Sequence, residues 1–187
     1  MTASIIRKLM TAAAGCGLVA AALAGPAALA QSVRQSAEGH GTLPSVNDNN
    51  QVVKRQFSFS AQRRADGTVT GHATLVNPAF KGGTNGNSPY QLEIDISCMN
   101  VIGNVAIFGG TTKRTNDPNL VDAVFFSVQD NGEPGKNDRI SRAFFWDDDP
   151  NTHDGNPQAC MFNDANSYPL EQILSGNIQV KNGVNVP

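Results

Sequence analysis

The short catalytic signatures are missing from this sequence: it has no G-x-S-x-G, no H-E-x-x-H and no phosphate-binding glycine loop. That sets aside the motif-borne hydrolases, zincins and nucleotide enzymes. Helical periodicity is almost missing too, so a helix bundle is not the fold. Positive charge is in deficit, with 14 Lys and Arg against 16 Asp and Glu and a formal net charge of −2. A mildly acidic chain is a poor partner for nucleic acid or an anionic membrane surface, both of which attract excess Lys and Arg. There are three cysteines and three histidines, and none of the histidines stands at zinc-ligand spacing from Cys98 or Cys160.

What is present begins with a leader. Residues 1–30 carry Arg7 and Lys8, then an Ala/Leu/Val-rich run, a helix-breaking Pro26, and Ala28-Leu29-Ala30 as an A-x-A cleavage site. This is the pattern of a secretory signal peptide, cleaved after Ala30. The run is broken by Gly15, Gly17, Gly25 and Pro26 and has no basic stop-transfer flank, so a transmembrane segment fits it less well and none is expected in the mature chain. Cys16 follows Ala-Gly and would be the lipidated residue if the leader were a lipoprotein signal, although Ala13 stands where Leu is usual. Loss of Arg7 and Lys8 moves the formal charge from −2 to −4 and leaves 157 of the 187 residues, enough for one domain with a core. The expected location is secreted or periplasmic. In that compartment the surviving pair, Cys98 and Cys160, is expected to form a disulfide.

Residues 31–50 are rich in Gly, Ser, Asn and Gln and lack periodicity, so they read as a flexible N-terminal segment or a loosely tied first strand. Residues 51–187 read as a single β domain. Phe57, Phe59 and Ala61 alternate on one strand and Val69, Gly71, Ala73 and Leu75 on the next. A two-residue Asp66-Gly67 turn would set Phe59 opposite Thr74, an inward residue against an outward one. A three-residue loop 65–67, with Gly67 left-handed, pairs Phe59 with Ala73 and Phe57 with Leu75.

Gln91 to Cys98 alternates polar and apolar, so Leu92, Ile94, Ile96 and Cys98 are all expected to point inward. The phase then changes at Val101, which suggests a bulge near Asn100 and leaves the register of the Gly103-Asn104 hairpin open. Gly109-Gly110 breaks the returning strand where something packs closely on the backbone. Val124–Val128 and Ile140–Trp146 follow as strands with apolar residues on both faces.

Lys81–Pro89 and Asn116–Asn119 read as loops. Gln158–Phe162 reads as a short strand, Ser167–Leu174 as one helical turn and Gly176–Lys181 as a last strand. The sum is an all-β antiparallel meander of seven or eight strands, forming either a β-sandwich or a small β-barrel.

Two acidic loops concentrate the functional side chains. One contains Asp130, Asn131 and Asp138; the other contains Asp147, Asp149, His153 and Asp154. Oxygen-rich loops can hold calcium, the one cofactor considered, but neither has EF-hand spacing. The plainer reading is a hairpin tip whose Asp and Asn cap backbone N–H groups. A continuous strand from 139 to 146 would hold the two loops about 26 Å apart, too far for a joint site.

Glu93 and Asp95 share one strand face at a separation suited to a glycosidase pair, yet a solvated sheet face carries such charges anyway. His40, His72 and His153 have no nucleophile at a motif distance. Phe144, Phe145 and Trp146 could line a barrel mouth, and Phe57, Phe59, Phe126 and Trp146 are the candidate lining of an apolar interior.

Phe57-Ser58-Phe59, Asp66-Gly67, Gly71, the run Gly103 to Gly109, and Asp130-Asn131-Gly132-Glu133-Pro134-Gly135 with Asp138, Ile140 and Trp146 together resemble small exported bacterial β-domains of the post-COAP (choice-of-anchor) type. The resemblance spans Gln56 to Trp146. It implies export, an all-β fold and a cell-surface or matrix partner, and it carries over no catalytic residue. The leading expectation is therefore a secreted non-catalytic module for structure or surface interaction. The rivals are a ligand-binding barrel with an aromatic-lined interior and a calcium-stabilised domain.

Overall fold

Two-residue periodicity generates nearly all of the structure. The computed structural model describes residues 33–82, 88–116, 122–146 and 155–183, all within the compact unit 31–187. The leader with Cys16, the acidic stretch 147–154 with Asp147, Asp149, His153 and Asp154, and parts of the loops at 81–89 and 116–119 lie outside the described residues.

Ten strands are found among the described residues, more than the seven or eight expected. They are β1 (Val33–Val46), β2 (Val52–Arg64), β3 (Val69–Gly82), β4 (Ser88–Ile102), β5 (Val105–Thr115), β6 (Ala123–Gln129), β7 (Arg139–Ser141), β8 (Phe144–Phe145), β9 (Leu170–Gln172) and β10 (Ser175–Asn182). All pairings are antiparallel, in the order β10-β1-β2-β3-β4-β5-β6-β7-β9, with β8 also on β6. From β1 to β7 each strand pairs with the next, the meander that sequential hairpins favour. The sheet curls into a half-barrel.

The concave side holds the main core. Phe59, Phe108 and Phe126 form its centre, with ring centroids 4.7 to 6.0 Å apart, the separation of favourable aromatic pairs. These rings fit because the inward positions of β1 are small. Gly39 lies opposite Phe59 and Gly41 opposite Phe57, and a Cβ on either glycine would collide with that ring. Of the two readings of 31–50, a flexible segment or a first strand, the strand is the one found: Val33–Val46 is β1, paired with β2 on one side and β10 on the other. Its glycines make room for aromatic rings and so hide the period-two pattern Ala37-Gly39-Gly41-Leu43.

The β2–β3 register is the expected one, Phe57 with Leu75 and Phe59 with Ala73, and Gly67 is left-handed at φ +86. On β4 the expectation needs correcting. The bulge falls between Ile96 and Cys98, not near Asn100. Leu92, Ile94 and Ile96 therefore face the concave core, and so does Met99, while Cys98 is turned to the convex side. The two-residue turn then pairs Ile102 with Val105.

On the convex side a second cluster forms, in which Cys98, Val105, Ile107, Ala123 and Phe125 are covered by the 3-10 helix Pro157–Phe162. That helix replaces the strand expected at Gln158–Phe162, and β9 replaces the helical turn expected at Ser167–Leu174. Cys98 and Cys160 are disulfide-bonded, with Cα atoms 6.1 Å apart. Gly109 passes directly beneath, where a Cβ would overlap the Pro157 carbonyl oxygen; this is the close approach expected at Gly109-Gly110.

The run Ile140–Trp146 is two short strands on the same edge of β6, interrupted at Arg142 and Ala143. In the gap the Ser127 N–H donates to Ser141 Oγ at 2.9 Å, a side chain standing in for a ladder bond. With no continuous strand from 139 to 146, the 26 Å separation of the two acidic loops no longer follows.

The curl is closed by carboxylates. β10 uses one edge on β1, and its outer edge faces the connection 130–138. Asp138, fully buried, accepts from the Ile178 N–H and the Asn131 N–H, both at 2.8 Å. Asp130 accepts from the Val180 N–H at 3.0 Å and the Gly132 N–H at 2.9 Å. Alternate N–H groups of a strand point to the same edge, so two carboxylates satisfy donors that a neighbouring strand would otherwise take.

Asp138→Asn leaves one amide acceptor for two backbone donors, of which the Ile178 N–H is buried, so it is expected to lower stability by about 1–3 kcal/mol in urea denaturation. A change under about 0.5 kcal/mol, ordinary for surface substitutions, would contradict the role given to that carboxylate. The disulfide closes a loop of 62 residues, and the double variant Cys98→Ala/Cys160→Ala should lose about 2–4 kcal/mol. Equal urea midpoints for the variant and the oxidised parent would count against it.

Candidate functional site: the mouth of the half-barrel

The concave side is occupied at its centre by the three rings, and at one end it opens. A cavity of about 680 Å³ lies there, walled by the ends of β1 and β2, by β3, by Tyr90 and by the segment after β7. This is the end at which the β1–β2 hairpin turns. Phe57 and Leu43 form its inner wall, Leu75 and Ile140 its sides, and Val46 and Val52 stand on its rim, 58% and 73% exposed. Apolar side chains left open to solvent around a cavity are the usual lining of a small-molecule site.

Charge enters at one side only. Arg55 sits on β2 in phase with Phe57, Phe59 and Ala61, so period two aims it inward, and its side chain is 11% exposed. Glu171 enters from β9, opposite Ile140. The Glu171 carboxylate accepts from Arg55 Nη2 at 2.5 Å and from Arg142 Nε at 3.0 Å. Arg55 also donates through Nε to the Pro44 carbonyl at 3.3 Å. Burial pulls the Arg55 pKa down and the Glu171 charge pushes it back up, while a guanidinium remains charged at any ordinary pH. Two cations thus share one anion, and the three side chains carry a net charge of +1.

The expected aromatic lining divides. Phe57 does line the mouth. Phe59 and Phe126 lie deeper and are packed by Phe108. Phe145 packs against the concave core, whereas Phe144 lies over Tyr168 outside, with centroids 5.0 Å apart. The burial that raises the Tyr168 pKa belongs to that outer cluster. Trp146 is 65% exposed and is not among the residues lining the mouth.

Arg55, Arg142 and Glu171 escape sequence reasoning because they come from three segments far apart and form no motif. One signal was legible: an arginine in the inward phase of a strand whose next inward residues are Phe57 and Phe59. Arg63 ends the same inward row and donates to the Met99 carbonyl. The aromatic stretch of the β2 row is therefore flanked by an arginine on each side.

The first acidic loop has its oxygens committed. All four carboxylate oxygens of Asp130 and Asp138 accept backbone N–H groups. Asn131 donates through Nδ2 to the Asn137 carbonyl at 2.7 Å. The capping role expected for this loop is real but reaches another strand. Among the described residues no group of three His, Cys, Asp or Glu is placed to hold a metal ion.

On the convex face the ladder brings together a row that sequence spacing concealed. Ser60 lies opposite His72, and His72 opposite Asp95. A nucleophile–base–carboxylate relay needs hydrogen bonds between these groups and a nearby oxyanion donor. Asp95 is instead paired with Lys113 at 3.2 Å, and the backbone donors of a strand paired on both sides belong to the ladder. Glu93 pairs with Arg114 at 3.6 Å, so both carboxylates of the suggested glycosidase pair have cationic neighbours. His40, on β1, is exposed.

A calcium titration followed by the amide resonances of Asn131, Gly132, Ile178 and Val180 should leave all four in place at millimolar metal; progressive shifts would mean that the carboxylates give up their backbone donors to the ion. In comparisons with known proteins, no family model, no curated protein and no solved structure matches this chain, so the likeness to post-COAP domains rests on the motif residues alone.

Proposed function

We propose that this chain is an exported, non-catalytic β-module that takes a small, largely apolar ligand into the mouth of the half-barrel. The observation that carries this reading is the open cavity of about 680 Å³, within the range of roughly 300–1,000 Å³ typical of small-molecule sites. It combines apolar walls with a few convergent polar groups, the composition that lets burial supply affinity and a few hydrogen bonds supply orientation. Export is supported by the leader pattern of residues 1–30 and by the disulfide, which an oxidising compartment maintains.

A second reading, a surface or matrix module, is favoured by the resemblance and by the convex face. There Ser58, Ser60, His72, Thr74 and Asp95 form a broad polar surface across three adjacent strands. Binding in the mouth is compatible with it.

The direct test is a neutral apolar dye, N-phenyl-1-naphthylamine, titrated into the folded protein. Fluorescence should rise to saturation, and Ser45→Trp, which places a large ring in the cavity from β1, should weaken binding at least about tenfold. Absence of saturable binding, or equal affinity in the variant, would remove the mouth as a site.

A further inference from the structure

We propose that the ligand of this mouth is an amphipathic carboxylate whose hydrocarbon body lies on Leu43, Phe57, Leu75 and Ile140 and whose head is held by Arg55 and Arg142. The inference rests on reading the mouth as a binding site and adds the chemistry of what enters it. Three observations on the site point the same way.

The first is charge. Two guanidinium groups stand at the polar side of the cavity with one carboxylate between them, and a ligand carrying a single negative charge brings the cluster to neutrality. A cation there would meet like charge, and a neutral head would leave the excess uncompensated.

The second is geometry. Glu171 already displays how these two arginines take a carboxylate, one oxygen on each, at 2.5 and 3.0 Å. Guanidinium donors match carboxylate oxygens in spacing and direction. A ligand carboxylate can join this arrangement or take the place of Glu171.

The third is the arrangement of surfaces. The polar cluster lies on the β7–β9 side, while Leu43, Val46, Val52 and Leu75 form the rest of the wall. Val46 and Val52, exposed on the rim, gain cover when a chain of several methylenes lies across them, and the burial of that apolar surface favours binding. Head and body are thus recognised by different parts of one cavity.

The experiment compares three ten-carbon amphiphiles below their micelle concentrations: decanoate, decanol and decyltrimethylammonium. Each is used to displace N-phenyl-1-naphthylamine from the folded protein, and decanoate binding is also followed directly by calorimetry. Decanoate should displace the dye at least about tenfold more effectively than decanol, and the cation least. Arg142→Gln, at a side chain 66% exposed, should lower the decanoate-to-decanol ratio severalfold; Glu171→Gln should raise the ratio.

Equal displacement by decanoate and decanol, preference for the cation, or a ratio unmoved by Arg142→Gln would overturn the assignment. If the dye still binds and Ser45→Trp still weakens it, only the carboxylate fails and the mouth remains a site. If neither dye nor decanoate binds, both readings fall together.

Discussion

The structure depends on a fully buried carboxylate that completes a sheet edge. A curled sheet has two ends, and the donors on an unpaired edge must be satisfied somewhere. In this molecule Asp138 and Asp130 meet the Ile178 and Val180 N–H groups, so the connection 130–138 substitutes for a strand. The Asp138 carbonyl also accepts from Ile173, and the Leu174 N–H donates to Thr42. These bonds fix the short link between β9 and β10, and β9 carries Glu171 to its place between Arg55 and Arg142. Closure of the sheet and construction of the mouth are therefore one problem with one solution.

The division of labour between the faces follows from the same economy of elements. The concave side is filled at its centre by Phe59, Phe108 and Phe126 and left open at the Arg55 end. The convex side would expose Val105, Ile107 and Phe125 if nothing covered them. A 3-10 helix, joined to β4 through Cys98 and Cys160, covers them. The helix is too short to bury much by itself, and the covalent link compensates. The back is thus covered and covalently tied, and the front is open at the Arg55 end.

Much of the fold was legible in the residues, and the failures have physical causes. Facing arguments sufficed for β2 and β3 because Phe57 and Phe59 mark the inward side of one, and Val69 and Leu75 bracket the small inward residues Gly71 and Ala73 of the other. They failed on β1, where the inward residues are small so that rings from β2 can lie over them, and small residues look like a loop. They also failed at Ser97, because a bulge reverses facing without any change in the local alternation. The disulfide was expected from the leader pattern and the even cysteine count that remains after it. The mouth could not be read, since its polar side is assembled from positions 55, 142 and 171, and neither could the seam, in which Asp130 reaches Val180 across 50 residues. Local periodicity says which way a side chain points and nothing about which distant strand it meets.

The most direct test of the account is amide hydrogen exchange at Ile178 and Val180. Both N–H groups lie on an edge with no strand beside it, and the account predicts that they exchange as slowly as the central β1–β2 ladder amides because Asp138 and Asp130 hold them. Exchange at the rate of unprotected peptide groups, with the ladder amides still slow, would show an open edge and contradict the closure on which the mouth depends.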